Sequence, residues 1–375
     1  MSSKSGFFVF ILIASGCLSK ACGDGEISTS PRSFEAAPMP DQPNVDEPMP
    51  DQPDVARPAG PLGDPYVHVT PADIGVTIGP GVIAPYPTEA WTGGCTLTQD
   101  GTTIENKVIN CAKLRIDADN FTIRNSVVNT TNGIHVGYND GVSLNFLIEY
   151  SEVYASSPTD KVFNVWNSYN DDFRNFTIRK SHIHGGFDQF AMTGNLDGML
   201  IEYNRIGPIA TQDPVEHADG FQIGSQAGGV ATYGTITLRG NWASADSIAG
   251  KTAFWYGEVG TMKAIIESNH LTSWGATTLW ASDSGGPDTM QVRYNLYDAE
   301  WELGIGNRCT QGGSPDCIPY RACCYYPAAA AAWNSAGAAI GSARCNRYES
   351  DGRFIEDEWF WNMTQDNTDC PSYPP

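Results

Sequence analysis

One short phrase recurs eight times between Thr103 and Asp298, and it dictates what this chain can fold into. The copies read TIENKVIN (103–110), TIRNSVVN (122–129), LIEYSEVY (147–154), TIRKSHIH (177–184), LIEYNRIG (200–207), TLRGNWAS (237–244), IIESNHLT (265–272) and QVRYNLYD (291–298). Each has an aliphatic second residue and a polar or charged third. Most carry Ser or Asn fifth, as Ser126, Ser151, Ser181, Asn204, Asn241, Asn269 and Asn295, with Lys107 the departure. Second positions lie 19, 25, 30, 23, 37, 28 and 26 residues apart. A strand recurring at such intervals, with loops of varying length, is the mark of a solenoid, because one strand cannot bury its apolar side alone and copies must stack.

A second strand-like stretch lies between copies: GIHVG (133–137), VFNVW (162–166), QFAMT (189–193), GFQIG (220–224), AFWYG (253–257) and TLWAS (278–282). Period-two alternation puts Ile134/Val136, Phe163/Val165, Phe190/Met192, Phe221/Ile223 and Phe254/Tyr256 on one face. The opposite face then carries His135, Asn164, Ala191, Gln222, Trp255 and Trp280. No repeat holds an amphipathic helix, so the expected fold is all-β, a parallel β-helix of two or three short strands per turn. The Ser/Asn column reads as scaffold, with each amide stacking on the next about 4.8 Å away.

These phrases, the Ser/Asn column and the coil length resemble the right-handed parallel β-helix of the pectate-lyase-like superfamily, over about residues 65–305. The stretch GCTLTQDGTTIENKVINCAKLRIDADNFTIRNS (94–126) and HADGFQ (217–222) are similar to a group of secreted bacterial β-helix proteins with an H-x-D-G-x-Q motif. The resemblance implies an exported right-handed parallel β-helix; the closer group mostly has no established activity and adds little about function. The resemblance transfers no catalytic set: N-T-D and G-H-G are absent, and Asp171-Asp172 precedes the wrong strand for a pectin hydrolase.

The termini divide the chain further. Lys4, the apolar run 7–14 and Ser15-Gly16-Cys17 read as a signal peptide over 1–16 with a lipobox-like end, too short to span a bilayer. Lipidation of Cys17 would anchor the chain to an outer membrane or cell surface; plain secretion is the other outcome. Residues 17–63 hold the tandem PMPDQPNVDE and PMPDQPDVAR and read as an extended tether. The β-helix is expected over 64–305 and a disulfide-rich C-terminal cap over 306–375. Cys95 and Cys111 are expected to pair, and the six later cysteines to bridge the cap, since an even set in an exported chain reads as disulfides.

Chemistry is expected on the Trp-bearing face and just ahead of it. Asp188, His217, Asp219 and Lys251 precede the second strand on successive turns. His217 and Asp219 could form a general base with its orienting carboxylate, and Lys251 could be the base that β-helix lyases often use. Asp188 and Asp219, one turn apart, could instead hold calcium. The plainer reading makes Asp219-Gly220 a turn that His217 secures. Gln222, Trp255, Trp280 and His135 are the expected sugar contacts. His182 and His184 share a strand face, as a metal pair or as ladder packing. A net charge of −21, from 22 Lys+Arg against 43 Asp+Glu, excludes nucleic acid as the expected partner. The same charge disfavours polyanionic glycans that lack a bridging cation. The expectation is thus an exported monomer that degrades or modifies extracellular polysaccharide, as lyase or hydrolase; the alternative is a non-catalytic glycan-binding surface module.

Overall fold

A computed structural model describes residues 87–373, apart from 138–141, 166–171, 193–195, 211–217, 224–231, 246–252, 258–259, 273–278, 282–288, 298–331, 335–340, 350, 356–359 and 362–364. Three parallel sheets, each of ten strands among the described residues, take one strand per turn in sequence order. That succession is a stack of coils, a β-solenoid. The phrase supplies two of the sheets. Its first three residues form sheet 1, as in Thr103–Glu105 and Leu147–Glu149; its last three, with the residue that follows, form sheet 2, as in Val127–Thr130 and Glu152–Ala155. The second stretch forms sheet 3, as in Ile134–Val136, Phe163–Val165 and Asp219–Ile223.

The fourth residue of the phrase makes the corner between sheets 1 and 2. Asn106, Asn125, Tyr150, Lys180, Tyr203, Ser268, Tyr294 and Cys345 all have φ between 44° and 58°, the left-handed region that costs most side chains energy. Gly240 takes the same conformation, and a Cβ there would lie 2.5 Å from the Tyr203 ring of the coil before. The corner residue's N–H still reaches a carbonyl of the next coil, as from Tyr203 to Arg239 (2.9 Å) and from Tyr294 to Arg344 (3.0 Å).

The fifth residue's N–H meets a side chain instead. Ser126 N–H donates to the Ser151 hydroxyl, Ser151 to Ser181, Ser181 to Asn204 Oδ1, Asn204 to Asn241, Asn241 to Asn269, Asn269 to Asn295 and Asn295 to Asn346, at 2.9–3.2 Å. Side-chain oxygens thus do at the corner what carbonyls do along strands. These side chains are fully or almost fully buried, so an acceptor is obligatory there. The expected ladder is present, and Lys107 departs from it at the start of the run, forming an ion pair with Glu89. Gln365 ends it by accepting the Asn346 N–H at 3.1 Å.

The third positions form a column of charge. Register aligns Glu105, Arg124, Glu149, Arg179, Glu202, Arg239, Glu267 and Arg293, alternating in sign at every coil, followed by Arg344 and Asp366. Glu149 is buried between Arg124 (2.5 Å) and Arg179 (2.8 Å), and Glu267 between Arg239 (2.5 Å) and Arg293 (2.6 Å). The alternation breaks once, at Arg293–Arg344.

The interior is apolar, and like residues stack along the coil axis. Phe163, Phe190 and Phe221 stack face to face at 4.9 and 4.4 Å, and Phe146 on Phe176 at 4.6 Å. Cys95 and Cys111 are bridged, as expected from the sequence. In the C-terminal region the expected boundary at 305 does not mark the last coil. Gly341–Arg344 pairs with Thr289–Arg293, and Arg347–Tyr348 with Leu296–Tyr297. SARCNRY (342–348) is a ninth copy of the phrase, with Ala343 second and Asn346 fifth. A Cys345–Cys370 bridge closes this part. The remaining cysteines of the expected cap, Cys309, Cys317, Cys323 and Cys324, lie outside the described residues.

Candidate functional site

Sheet 3 holds the residues expected to carry function. At the N-terminal ends of its strands, register stacks Asp188, two residues before Phe190, and Asp219, the first residue of Asp219–Ile223, on adjacent coils, as their spacing implies. The Asp219 N–H donates to Asp188 Oδ1 at 2.8 Å, and Gln189 N–H to the Asp219 carbonyl at 2.9 Å. Lys161, one coil earlier, places its ammonium 2.6 Å from Asp188 Oδ2. Both aspartates are fully buried. Burial first, and then the Asp219 charge, pushes the Asp188 carboxyl up to about 6; Lys161 works against this.

This corrects two expectations. Side chains with no exposed surface cannot reach a polymer in a groove, so Asp188 and Asp219 are not an open catalytic pair. Calcium does not fit either. It needs six or more oxygens, whereas here an ammonium already faces Asp188 and a backbone N–H takes one of its oxygens. The physical reason is the sheet itself: residues two before an inward Phe share its inward side. His217 and Lys251 lie outside the described residues.

The strand Ala253–Gly257 breaks the simple alternation. Register pairs Asp219 with Ala253, Phe221 with Trp255, Gln222 with Tyr256 and Ile223 with Gly257. Trp255 therefore takes the inward column and is fully buried, as is Phe254 beside it. The Phe221 ring meets Phe254 edge-on at 5.3 Å and Trp255 at 6.4 Å. The expectation that Trp255 points outward to a ligand is wrong: Phe254 and Trp255 are both buried, and the pairing sets Trp255 rather than Phe254 opposite Phe221, a one-residue shift from the expected alignment. The buried Trp255 indole N–H has no acceptor among the described residues.

The shift puts Tyr256, not Trp255, into the outer column. By register that column runs His135, Asn164, Ala191, Gln222, Tyr256, Trp280, Trp333 and Trp361. Its first half is polar or small and its second half aromatic on four consecutive coils. His135 and Gln222 are partly exposed. Burial, together with the charges of Lys113 and Arg115, lowers His135 to about 4, so at neutral pH it is an uncharged hydrogen-bonding group. Trp280 stays in the column the sequence assigned it. Tyr256, Trp333 and Trp361 were missed, Tyr256 through the one-residue shift and the two tryptophans because they lie within the region expected to be the cap.

His182 and His184 project from Sheet 2, with Glu152 on the adjacent strand. The molecule defined by these features is an all-β, parallel-stranded solenoid with an aromatic column along one sheet. No known protein family, curated protein or solved structure matches the chain.

Proposed function

We propose that this is an exported, surface-tethered β-helix protein, right-handed and of the pectate-lyase-like kind, that binds extracellular polysaccharide without cleaving it. The observation that carries the reading is the aromatic column Tyr256–Trp280–Trp333–Trp361 on four successive coils. Coils recur about every 4.8 Å, so four aromatic residues follow one another at one register position of sheet 3, and aromatic rings suit the apolar faces of sugar rings. Gln222 and His135 extend the column with hydrogen-bonding groups. A glycan of low charge is the fitting partner, since a protein of net charge −21 repels polyanions. Of the two modes the sequence leaves open, adhesion is favoured over degradation because Asp188 and Asp219 are sealed inside.

The test is retention of the protein on plant, algal and bacterial polysaccharides, with and without calcium. Trp280→Ala and Trp333→Ala should each weaken binding about fivefold to tenfold, about 1 kcal/mol per ring lost, while Trp255→Phe leaves it unchanged. Appearance of unsaturated products or new reducing ends would replace adhesion with catalysis. Unchanged binding by the Trp280→Ala/Trp333→Ala double variant would remove the column from the account.

A further inference from the structure

The outer face of sheet 2 carries a second constellation, away from the aromatic column of sheet 3. His182 and His184 alternate on His182–Gly185 and so share one face. Glu152, on Glu152–Ala155, is the register partner of His182. The three side chains bring one donor atom each to within 4.8 Å of the others, the one such His/Cys/Asp/Glu group among the described residues. All three are partly exposed, so an ion can reach them from solvent.

We propose that Glu152, His182 and His184 form a binding site for a divalent transition metal, with zinc the best match. Two imidazoles and one carboxylate are a donor set zinc accepts, leaving a fourth position open. Hard cations such as calcium and magnesium prefer oxygen cages that this face does not offer.

The local bonding prepares the ligands. His182 Nε2 lies 3.0 Å from the Gly207 carbonyl. A carbonyl only accepts, so the neutral ring carries its proton on Nε2 and keeps the Nδ1 lone pair available. Ligating histidines usually have their other nitrogen fixed in this way. Burial, then the neighbouring His184, lowers His182 to about 4, so it needs no proton removed at neutral pH. His184 Nε2 and Glu152 Oε1 are 3.0 Å apart. Two zinc bonds of about 2.0–2.1 Å at a tetrahedral angle need about 3.3 Å, so a small parting of this pair admits the ion in place of their shared proton. Tyr154 stacks on His184 at 4.9 Å, and the His182 and His184 rings stack at 4.1 Å, which restricts both rings. A charged neighbour of the site is Arg205, the register partner of His182 on the next coil; its guanidinium lies over the Trp242 ring at 5.1 Å. Its charge holds affinity below that of an all-neutral or acidic surround.

The experiment is calorimetric titration of chelator-treated, untagged protein with Zn²⁺ alone. One equivalent should bind. His184→Ala should weaken binding about tenfold or more and Glu152→Gln by a smaller but measurable factor, whereas His270→Ala, elsewhere on sheet 2, should not change it. Melting in chelator keeps folding separate, since each variant should melt there as wild type does within a few degrees. Absence of saturable Zn²⁺ binding, or equal affinity in the His182→Ala/His184→Ala double variant, would overturn the proposal. Neither result bears on glycan retention, which rests on sheet 3.

Discussion

Replacing Asn241 with Ala should be among the most damaging single changes to this solenoid, and its cost can be worked from the bonds it breaks. Asn241 Oδ1 accepts from the Asn204 N–H (2.9 Å) and from Asn204 Nδ2 (3.1 Å). Its Nδ2 donates to the Ile201 carbonyl (2.9 Å) and to Asn269 Oδ1 (2.9 Å). Two partners keep a second bond after the change: Asn204 Nδ2 still reaches the Ile178 carbonyl, and Asn269 Oδ1 still accepts the Asn241 N–H. The Asn204 N–H and the Ile201 carbonyl lose the bonds Asn241 made to them, at a fully buried position. The carbonyl stays within the strand ladder, so at roughly 1–3 kcal/mol for the orphaned N–H and about 1 kcal/mol for the carbonyl's lost second bond, the loss is about 2–4 kcal/mol. Asn129→Ala is the control. Its amide makes one exposed bond, to Asn110 Oδ1 at 3.0 Å, and its removal should cost less than about 1 kcal/mol. Urea midpoints of the two variants, read by tryptophan fluorescence, give the comparison. Amide hydrogen exchange adds a local readout, since the Asn204 amide should lose protection while those of distant coils keep theirs. If Asn241→Ala falls within 1 kcal/mol of Asn129→Ala, the corner is not a dry ladder and the reasoning fails.

Two further outcomes follow from the buried charges. Glu267→Ala leaves Arg239 and Arg293, each more than a third exposed, facing one another across an empty position; the cost should be about 1–3 kcal/mol by urea midpoint, and smaller at high salt. Asp188 titrates higher in the folded protein than its ordinary 3.8, so its contribution is fully present below that value and is lost as pH rises through about 6. The stability advantage of wild type over Asp188→Asn should therefore shrink between pH 4 and 6.5; an advantage that grows with pH would show that the Lys161 pairing outweighs burial.

Much of the fold is legible in the chain because the corner makes local demands. A left-handed fourth residue and a buried acceptor at the fifth leave a printable pattern, and Ser126 through Asn295 show it without help from tertiary structure. The alternating third position was equally visible as Glu105, Arg124, Glu149 and Arg179, yet its meaning needs register, since the partners lie 19 to 30 residues apart. Asn346 was hidden by distance: 51 residues separate it from Asn295, far beyond the period of the other coils. The candidate site was less legible. Whether Trp255 or Tyr256 faces outward depends on a single-residue shift in the strand 253–257, and no alternation rule foresees two adjacent aromatic residues both buried. Asp188 and Asp219 look like an acid pair because composition near a strand says nothing of which side of the wall a side chain occupies.

The charge column has an evolutionary consequence. Solenoids lengthen and shorten by whole coils, yet in this chain a single added or deleted coil brings Glu beside Glu or Arg beside Arg along sheet 1. Only changes by two coils preserve the parity. The Arg293–Arg344 junction is such a like-signed seam, and Arg344 there turns aside to the Thr368 carbonyl at 3.2 Å. Variants shortened or lengthened by one coil before Arg293 should therefore lose more stability than those changed by two.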